Sequence, residues 1–334
     1  MHTTGWIFHC RAGYESTLAS EVSATANGLD LHGFCRASTG AGFIVFTAPT
    51  HNIPDPPQQI FARSASKIIT ELTALPEGKR AEHIAAALPP ELGSATPWIE
   101  HPDSPEGRPL ARFCRRFSGA AQRALVASGA CAGDPRRRIH LLFPDSSRVI
   151  ISVSKNARWP MGIPRLRIPK STPSRSALKL EEALLRLVPR QQHPGPGTTS
   201  IDLGAAPGGW SWLMRQRGAK VIAVDNGPLA TPLQEDPGVE HLKRDAFHYR
   251  PAQPVEWLLC DIIDRPQKVA RLVCSWFEQR LCKAAVFNLK LPMRKPLATV
   301  NSCLEMVSAS GAGLASAQLY HDREEITVYA RLHD

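Results

Sequence analysis

The spacing of apolar residues predicts alternating short strands and helices from the start of the chain. The run GWIFHC indicates a strand, and Leu18, Val22 and Ala26 then recur at the four-residue spacing of a helix that ends before Gly28. Two more apolar runs, LHGFCRAS and AGFIVFTAP, indicate strands separated by the glycine-containing segment TGAG. Residues 1–77 are therefore predicted to form a small α+β module.

A second stretch, residues 78–168, combines two predicted helices with a predicted hairpin. RAEHIAAALPPEL and ARFCRRFSGAAQRALVASG have the apolar spacing of helices, and the extended runs IHLLF and VIISVS are joined by the turn residues PDSS. Basic and aromatic side chains are interleaved around the hairpin, a mixture suited to contact with phosphates and bases. A solvated basic face is the plainer interpretation. The set comprises Arg115, Arg116, Phe117, Arg136, Arg137, Arg138, Arg158, Trp159, Arg165, Arg167 and Lys170.

Prolines separate this stretch from a C-terminal segment with a different pattern. Pro160, Pro164, Pro169 and Pro173 exclude an ordinary helix or central strand, so we place the domain boundary between residues 168 and 169. After this connector, strand patterns alternate with helix patterns. Such alternation favours an α/β fold with a mostly parallel sheet covered by helices, and the last two strands are predicted to form an antiparallel pair at its edge.

Composition restricts the classes of protein to which the chain can belong. Hydrophobic residues make up 43% of the chain and no apolar run is long enough to cross a bilayer. The first residues lack the pattern of a secretory signal, so a cytoplasmic location without a membrane partner is expected. Eight cysteines without a CxxC pair indicate buried, reduced thiols and no metal site. The formal net charge of +10 favours a polyanionic partner such as RNA.

The segment TTSIDLGAAPGGWSWLM is the strongest candidate for a cofactor site. A buried strand is predicted to end at Asp202, small residues turn the chain, and a helix starts near Gly208. Glycines let the backbone pass close to a ligand, and free amides at a helix start favour electronegative groups. The GxGxxG spacing of a dinucleotide site is absent, and Pro207 stands where a pyrophosphate needs room. A cofactor without a pyrophosphate, such as S-adenosylmethionine, is therefore favoured.

Acidic residues recur at the ends of the strands that follow this loop. Asp225 ends the strand VIAVD, where a carboxylate can accept hydrogen bonds from ribose hydroxyls. Asp245 and Asp261 occupy comparable positions later in the chain. Either of these two could simply cap a turn. Their serial placement after successive strands nevertheless favours one S-adenosylmethionine pocket, because ligands of such sheets bind at the carboxyl ends of the strands.

Four charged residues are expected to converge near this pocket. Lys290 ends the strand VFNLK, where an isolated lysine would simply be exposed. Its expected neighbours are Asp261, Lys179 on the helix before the cofactor loop, and Glu325 at the start of the last strand. Together, SRSALKLEEAL, DLGAAPGGWSW, VDNGP, CDII, NLKLPM and REEITVY resemble the FtsJ-type ribosomal RNA ribose 2'-O-methyltransferases, with their Lys-Asp-Lys-Glu tetrad. The resemblance covers most of residues 169–334.

Within that family, KLEEA, APGGW, VDNGP and NLKLPM most resemble the bacterial enzymes that methylate a cytidine ribose in the peptidyl-transferase region of 23S rRNA. The resemblance implies a ferredoxin-like module over residues 1–77 and a THUMP-like RNA-binding domain over residues 78–168. It implies a Rossmann-like, FtsJ-like S-adenosylmethionine methyltransferase domain over residues 169–334. The substrate would be 23S rRNA or a ribosome assembly intermediate, and the enzyme a monomer without an obligate protein partner.

The resemblance also assigns roles to individual residues. Lys290 is the proton acceptor, a role for which it must be neutral, and Asp261, Lys179 and Glu325 are its partners. Several relatives carry Cys where this loop has Ala206, a change of little chemical consequence if the backbone makes the contact. The residues assigned to the cofactor are Ser176, Ala206, Pro207, Gly208, Gly209, Asp225, Asp245 and Asp261.

Three other functions fit parts of this pattern. An oxidoreductase with a nucleotide cofactor could use the same fold, but the glycine spacing of its site is absent. A non-catalytic RNA-binding protein with a degenerate cofactor site is disfavoured because all four tetrad positions carry the charges that the chemistry requires. The third is a 2'-O-methyltransferase that acts on another structured RNA, such as tRNA, or on an mRNA cap.

Overall fold

Two seven-stranded sheets, one in each half of the chain, organise the residues that this computed structural model describes, which are 5–50, 53–93 and 96–333. The chain divides into two compact units, Met1–Pro164 and Arg165–Asp334. The predicted fold class, an α+β first part followed by an α/β second part, is confirmed, because the first sheet is mostly antiparallel and the second mostly parallel. Among the described helices, none combines the length and apolar character needed to cross a bilayer.

The sheet of the first unit has the strand order β2-β3-β1-β4-β7-β6-β5, and its neighbouring strands are antiparallel except β5 and β6. One sheet thus runs through both of the modules predicted over residues 1–77 and 78–168, and the division into two modules stays a prediction. The elements are β1 Gly5–His9, α1 Glu15–Gly28, β2 Phe34–Ala37, β3 Phe43–Thr47, β4 Ser64–Leu72, α2 Arg80–Ala86, β5 Trp98–Glu100, α3 Leu110–Ala127, β6 Arg137–Asp145 and β7 Arg148–Lys155.

Strand β4 and the end of helix α2 differ from the sequence prediction. The hydrophobic pattern did not indicate β4, because two of its buried positions are Ser66 and Thr70. Ser66 instead makes a hydrogen bond of 2.7 Å between its Oγ and that of Ser152 on β7. The helix predicted over residues 80–92 ends at Ala86, since the two prolines that follow cannot continue it and restrict the residues before them.

A buried polar cluster joins four strands of the first sheet. Glu100 at the end of β5 lies 3.1 Å from Nδ1 of His140 and 3.8 Å from Nε2 of His9. It also accepts a hydrogen bond of 2.8 Å from the backbone amide of Met161, and Nε2 of His140 lies 2.7 Å from Oγ of Ser154. Burial lowers the pKa of His9 to about 4. His9 therefore stays neutral in the folded unit at neutral pH.

We expect the first unit to lose stability when the pH falls from 6.5 towards 4. The unfolded chain protonates His9 near pH 6.5 while the folded chain resists protonation down to about pH 4, so the unfolded state binds more protons in this window. A shift of this size corresponds to a loss on the order of 3 kcal/mol of unfolding free energy. Urea unfolding at several pH values measures this loss. The unfolding free energy of the His9→Gln variant should depend less steeply on pH than that of the wild type. His32 is exposed, so the His32→Gln control should keep the wild-type dependence. Equal slopes for His9→Gln and the wild type would contradict the assignment.

The second sheet has the order β10-β9-β8-β11-β12-β14-β13, in which the first five strands are parallel and β14 is antiparallel to both of its neighbours. The predicted α/β fold and its antiparallel edge pair are therefore confirmed. The elements are α4 Ala177–Arg186, β8 Thr199–Leu203, α5 Gly209–Gln216, β9 Lys220–Val224, α6 Thr231–Gln234, β10 Val239–Leu242, β11 Val255–Cys260, α7 Pro266–Glu278, β12 Cys282–Lys290, α8 Pro296–Ala309, β13 Ala312–Ala317 and β14 Glu325–Leu332.

Candidate active site

The carboxyl ends of the parallel strands bring the predicted site residues to one edge of the second sheet. Asp225 follows β9 directly, Asp261 follows β11, and Lys290 is the last residue of β12. Strand β14 runs in the opposite direction, so it begins at this edge, and its first residue, Glu325, is paired in register with Lys290. Open α/β sheets bind their ligands at this edge.

The loop after β8 turns sharply into helix α5 and packs against the start of α4. Gly208 has a φ of +109°, a left-handed conformation that glycine adopts without strain. A Cβ atom on Gly209 would lie 2.3 Å from Oγ of Ser176, so the approach of these two segments requires glycine. The indole Nε1 of Trp210 donates a hydrogen bond of 3.0 Å to the carbonyl of Ser176. The structure therefore brings the predicted cofactor loop and Ser176 together.

The carboxylate of Asp225 ties the cofactor loop to the turn after β9. It accepts hydrogen bonds from the backbone amides of Ala206, at 3.0 Å, and Gly227, at 2.7 Å. Beneath the loop, the buried Asp202 accepts a hydrogen bond of 2.6 Å from Oγ of Ser211. Burial raises the pKa of Asp202 to about 7. The loop thus lies between the partly exposed carboxylate of Asp225 and the buried carboxyl group of Asp202.

Asp245 lies in an exposed turn shortly after β10, on the same edge of the sheet. Its carboxylate accepts hydrogen bonds of 2.8 Å from the backbone amide of Phe247 and from Nδ1 of His248. The hydrogen bond from His248 lowers the pKa of Asp245. Both carboxylate oxygens therefore take part in the local turn, which is the alternative role that the sequence left open, and contact with an adenine stays a prediction.

Lys179, Asp261, Lys290 and Glu325 form one connected ionic cluster. Nζ of Lys179 lies 3.2 Å from Oδ2 of Asp261 and 2.5 Å from Oε1 of Glu325. Oε2 of Glu325 accepts a short hydrogen bond from Nζ of Lys290. Glu325 is only 2% exposed, whereas Lys290 is 29% exposed. Lys290 is therefore the member of the cluster with the greatest access to a substrate, and Glu325 orients it from behind.

Burial and pairing act against each other in this cluster. Burial alone would lower the pKa of Lys179, but the carboxylates of Asp261 and Glu325 outweigh it and raise this pKa. Burial would raise the pKa of Glu325, yet the two lysines lower it. For Asp261, burial prevails over the attraction of Lys179 and the pKa is raised. Lys179 is accordingly a permanent cation, and Glu325 is an anion shared between two amines.

Three residues that the sequence analysis did not single out support Asp261. Nδ2 of Asn288 donates a hydrogen bond of 2.7 Å to Oδ1 of Asp261, and Oγ1 of Thr327 donates one of 2.8 Å to Oδ1 of Asn288. Asp322 lies behind Thr327 and is fully buried. Side chains two residues apart on a strand face the same side of the sheet. Asn288 lies two residues before Lys290, and Thr327 lies two residues after Glu325, so this alternation could have identified both residues from the sequence.

In the first unit, the interleaved basic and aromatic residues separate into two groups. Arg115 and Arg116 on α3 are exposed. Phe117 packs edge-on against Phe143, with ring centroids 5.4 Å apart, and stacks on Phe113 at 5.5 Å. Its ring is therefore engaged in the core of the unit, and the exposed arginines are the groups available to a polyanion.

Comparisons with known proteins cover both units. The family model described as "FtsJ-like methyltransferase" matches residues 172–294, and the one described as "RlmM ferredoxin-like domain" matches residues 3–55. The chain is 59% identical to the "Ribosomal RNA large subunit methyltransferase M" of Halorhodospira halophila, over 99% of this chain and 98% of that protein. It is 46% identical to the protein of the same name from Alkalilimnicola ehrlichii, over 98% of this chain and 95% of that one.

Proposed function

This chain belongs to the ribosomal RNA large subunit methyltransferase M family, and we propose that it methylates the ribose 2'-hydroxyl of a cytidine in 23S rRNA. The chain is thus an rRNA methyltransferase that uses S-adenosylmethionine; the ribose position, the cytidine and the residue roles are the proposal. The observation that carries it is the ionic cluster of Lys179, Asp261, Lys290 and Glu325 at the edge of the sheet that also holds the cofactor loop.

The donor groups at this edge suit S-adenosylmethionine. Asp225, Asp245 and Asp261 offer acceptors to hydroxyl and amino groups and favour a positive sulfonium, whereas they would repel a pyrophosphate. Gly208 and Gly209 stand at the start of α5, where backbone amides without a neighbouring side chain suit the electronegative carboxylate of the methionine part. When bound, S-adenosylmethionine supplies an electrophilic methyl group. The residues that would hold it are Ser176, Ala206, Pro207, Gly208, Gly209, Asp225, Asp245 and Asp261.

Lys290 is the proposed proton acceptor of the reaction. A ribose hydroxyl is a weak nucleophile until its proton is removed, and the ε-amine of Lys290 is the most exposed amine of the cluster. The amine accepts that proton only in its neutral form. Lys179 shares Glu325 with Lys290. Glu325 keeps the amine pointed at the site.

Charge supports an RNA substrate for the whole chain. The formal net charge is +10, and arginines on α3 and on the connector before α4 are exposed to solvent. Phosphate contacts made by such residues supply affinity and position the RNA without reading its sequence. The choice of 23S rRNA over tRNA therefore depends on the family, and it requires a direct test.

The test is a methylation assay in which 23S rRNA and tRNA compete. Both RNAs come from a bacterium that lacks its own copy of this family's gene, and S-adenosylmethionine carries a labelled methyl group. We expect label in 2'-O-methylcytidine after digestion of the 23S rRNA to nucleosides and mass spectrometry. Label in a base-methylated nucleoside, or only in tRNA, would contradict the proposal.

A further inference from the structure

A line of hydrogen bonds leads from Asp261 into the core of the second unit. Asn288 on β12 and Thr327 on β14 are paired in register, and both side chains are fully buried, as is Asp322. Oγ1 of Thr327 lies 2.8 Å from Oδ1 of Asn288, and 3.1 and 3.0 Å from Oδ1 and Oδ2 of Asp322. The backbone amide of Leu319 donates to Oδ2 of Asp322 at 2.9 Å.

The number of available protons sets the direction of these hydrogen bonds. Asp261 is paired with the ammonium group of Lys179, so the amide of Asn288 turns its NH₂ group towards Asp261 and its carbonyl towards Thr327. That carbonyl can only accept, and it therefore takes the single hydroxyl proton of Thr327. The hydroxyl oxygen must then act as an acceptor towards Asp322. A carboxylate has no proton to donate, whereas a carboxylic acid donates one to this oxygen, so the line of hydrogen bonds is complete only with a neutral Asp322.

The surroundings of Asp322 agree with a neutral carboxyl group. Burial is the largest effect that raises the pKa of Asp322 well above its usual value, and the nearby negative charges of Glu325 and Glu182 raise it further. Glu182 itself is held in ionised form by His321, through a contact of 2.7 Å. Two neighbouring anions thus oppose a third negative charge at Asp322.

We propose that a neutral Asp322 orients the amide of Asn288 through Thr327, and that Asn288 is thereby a positioning residue for Asp261. This inference rests on the proposed function, because it gives the orientation of Asp261 a role in methyl transfer. If Asp322 were ionised, the hydroxyl proton of Thr327 would turn to it. The Asn288 carbonyl would then lose its donor, and the amide would be held only through its hydrogen bond to Asp261.

Infrared spectroscopy tests the protonation of Asp322 without reference to activity. The difference spectrum between the wild type and Asp322→Asn at neutral pH should contain the C=O band of a protonated carboxylic acid. Asp236→Asn is the matched control, because Asp236 is paired with Arg215 at 2.8 and 2.9 Å, and it should remove only carboxylate bands. A spectrum for Asp322→Asn with carboxylate bands alone would overturn the proposal.

Substitutions along the line test the positioning role. Thr327→Val removes the hydroxyl and should lower kcat about tenfold, which corresponds to about 1.4 kcal/mol in the activation barrier, whereas Thr327→Ser keeps the hydroxyl and should restore most of the rate. Asp322→Asn still donates to Thr327 and should likewise retain most of it, unlike Asp322→Leu. Wild-type kcat in a folded Thr327→Val protein, or equal losses in Val and Ser, would overturn the role. The infrared result would stand even if Lys290→Ala were fully active, so the failure of this inference is distinguishable from that of the proposed function.

Discussion

The variant Lys290→Ala is expected to lose methyl transfer by a factor on the order of a thousand, the range found for a general base, while its affinity for S-adenosylmethionine stays unchanged. Lys290 is paired with Glu325, so truncation should remove the proton acceptor and leave the proposed cofactor residues in place. Single-turnover transfer to 23S rRNA and calorimetric titration with S-adenosylmethionine measure the two properties separately.

Two further lysine variants separate proton transfer from charge and from folding. Lys290→Arg keeps the positive charge but cannot give up its proton in a protein, so it should be as inactive as the alanine variant. Lys283→Ala is the matched control, because Lys283 lies on the same strand and is exposed, and it should transfer at the wild-type rate. Near-normal transfer by Lys290→Arg would show that Lys290 contributes charge and does not accept the proton.

The second large effect is expected at Asp225, where alanine should weaken binding of S-adenosylmethionine by roughly tenfold to a hundredfold, as expected for lost hydrogen bonds to a charged group. Two causes combine. The variant lacks the acceptor proposed for the ribose hydroxyls, and it leaves the amides of Ala206 and Gly227 without their carboxylate partner. The cofactor loop would consequently lose its attachment to the end of β9.

Calorimetry on two companion variants checks this assignment. Asp225→Asn keeps one oxygen acceptor and should bind with an affinity between those of the wild type and Asp225→Ala. Glu235→Ala removes a negative charge from an exposed position at the end of α6 and should bind like the wild type. An unchanged dissociation constant for Asp225→Ala would show that the strand-end carboxylate does not hold the cofactor.

Much of the fold could be predicted from periodicity because most buried positions are apolar. The strands β8, β11 and β12 are buried along nearly their whole length, so their apolar runs were visible without a structure. Strand β4 was missed because its buried face includes Ser66 and Thr70, and Ser66 gains its hydrogen-bond partner, Ser152, only once β7 lies beside it. Helix α8 was also missed. Only Val300, Cys303 and Val307 of its fourteen residues are buried, while Leu297, Leu304 and Met306 are partly exposed, so the apolar residues do not mark a single face.

The sequence by itself determined the α/β class, the position of the glycine-containing loop between β8 and α5, and which charged residues lie at strand ends. These features depend on local spacing, which the order of residues contains directly. Only the tertiary structure decided that Glu325 faces Lys290 in register, that Lys179 reaches both carboxylates, and that Asp261 is held through Asn288, Thr327 and Asp322. The physical reason is that these contacts join residues distant along the chain, and the register between β12 and β14 selects which side chains become neighbours.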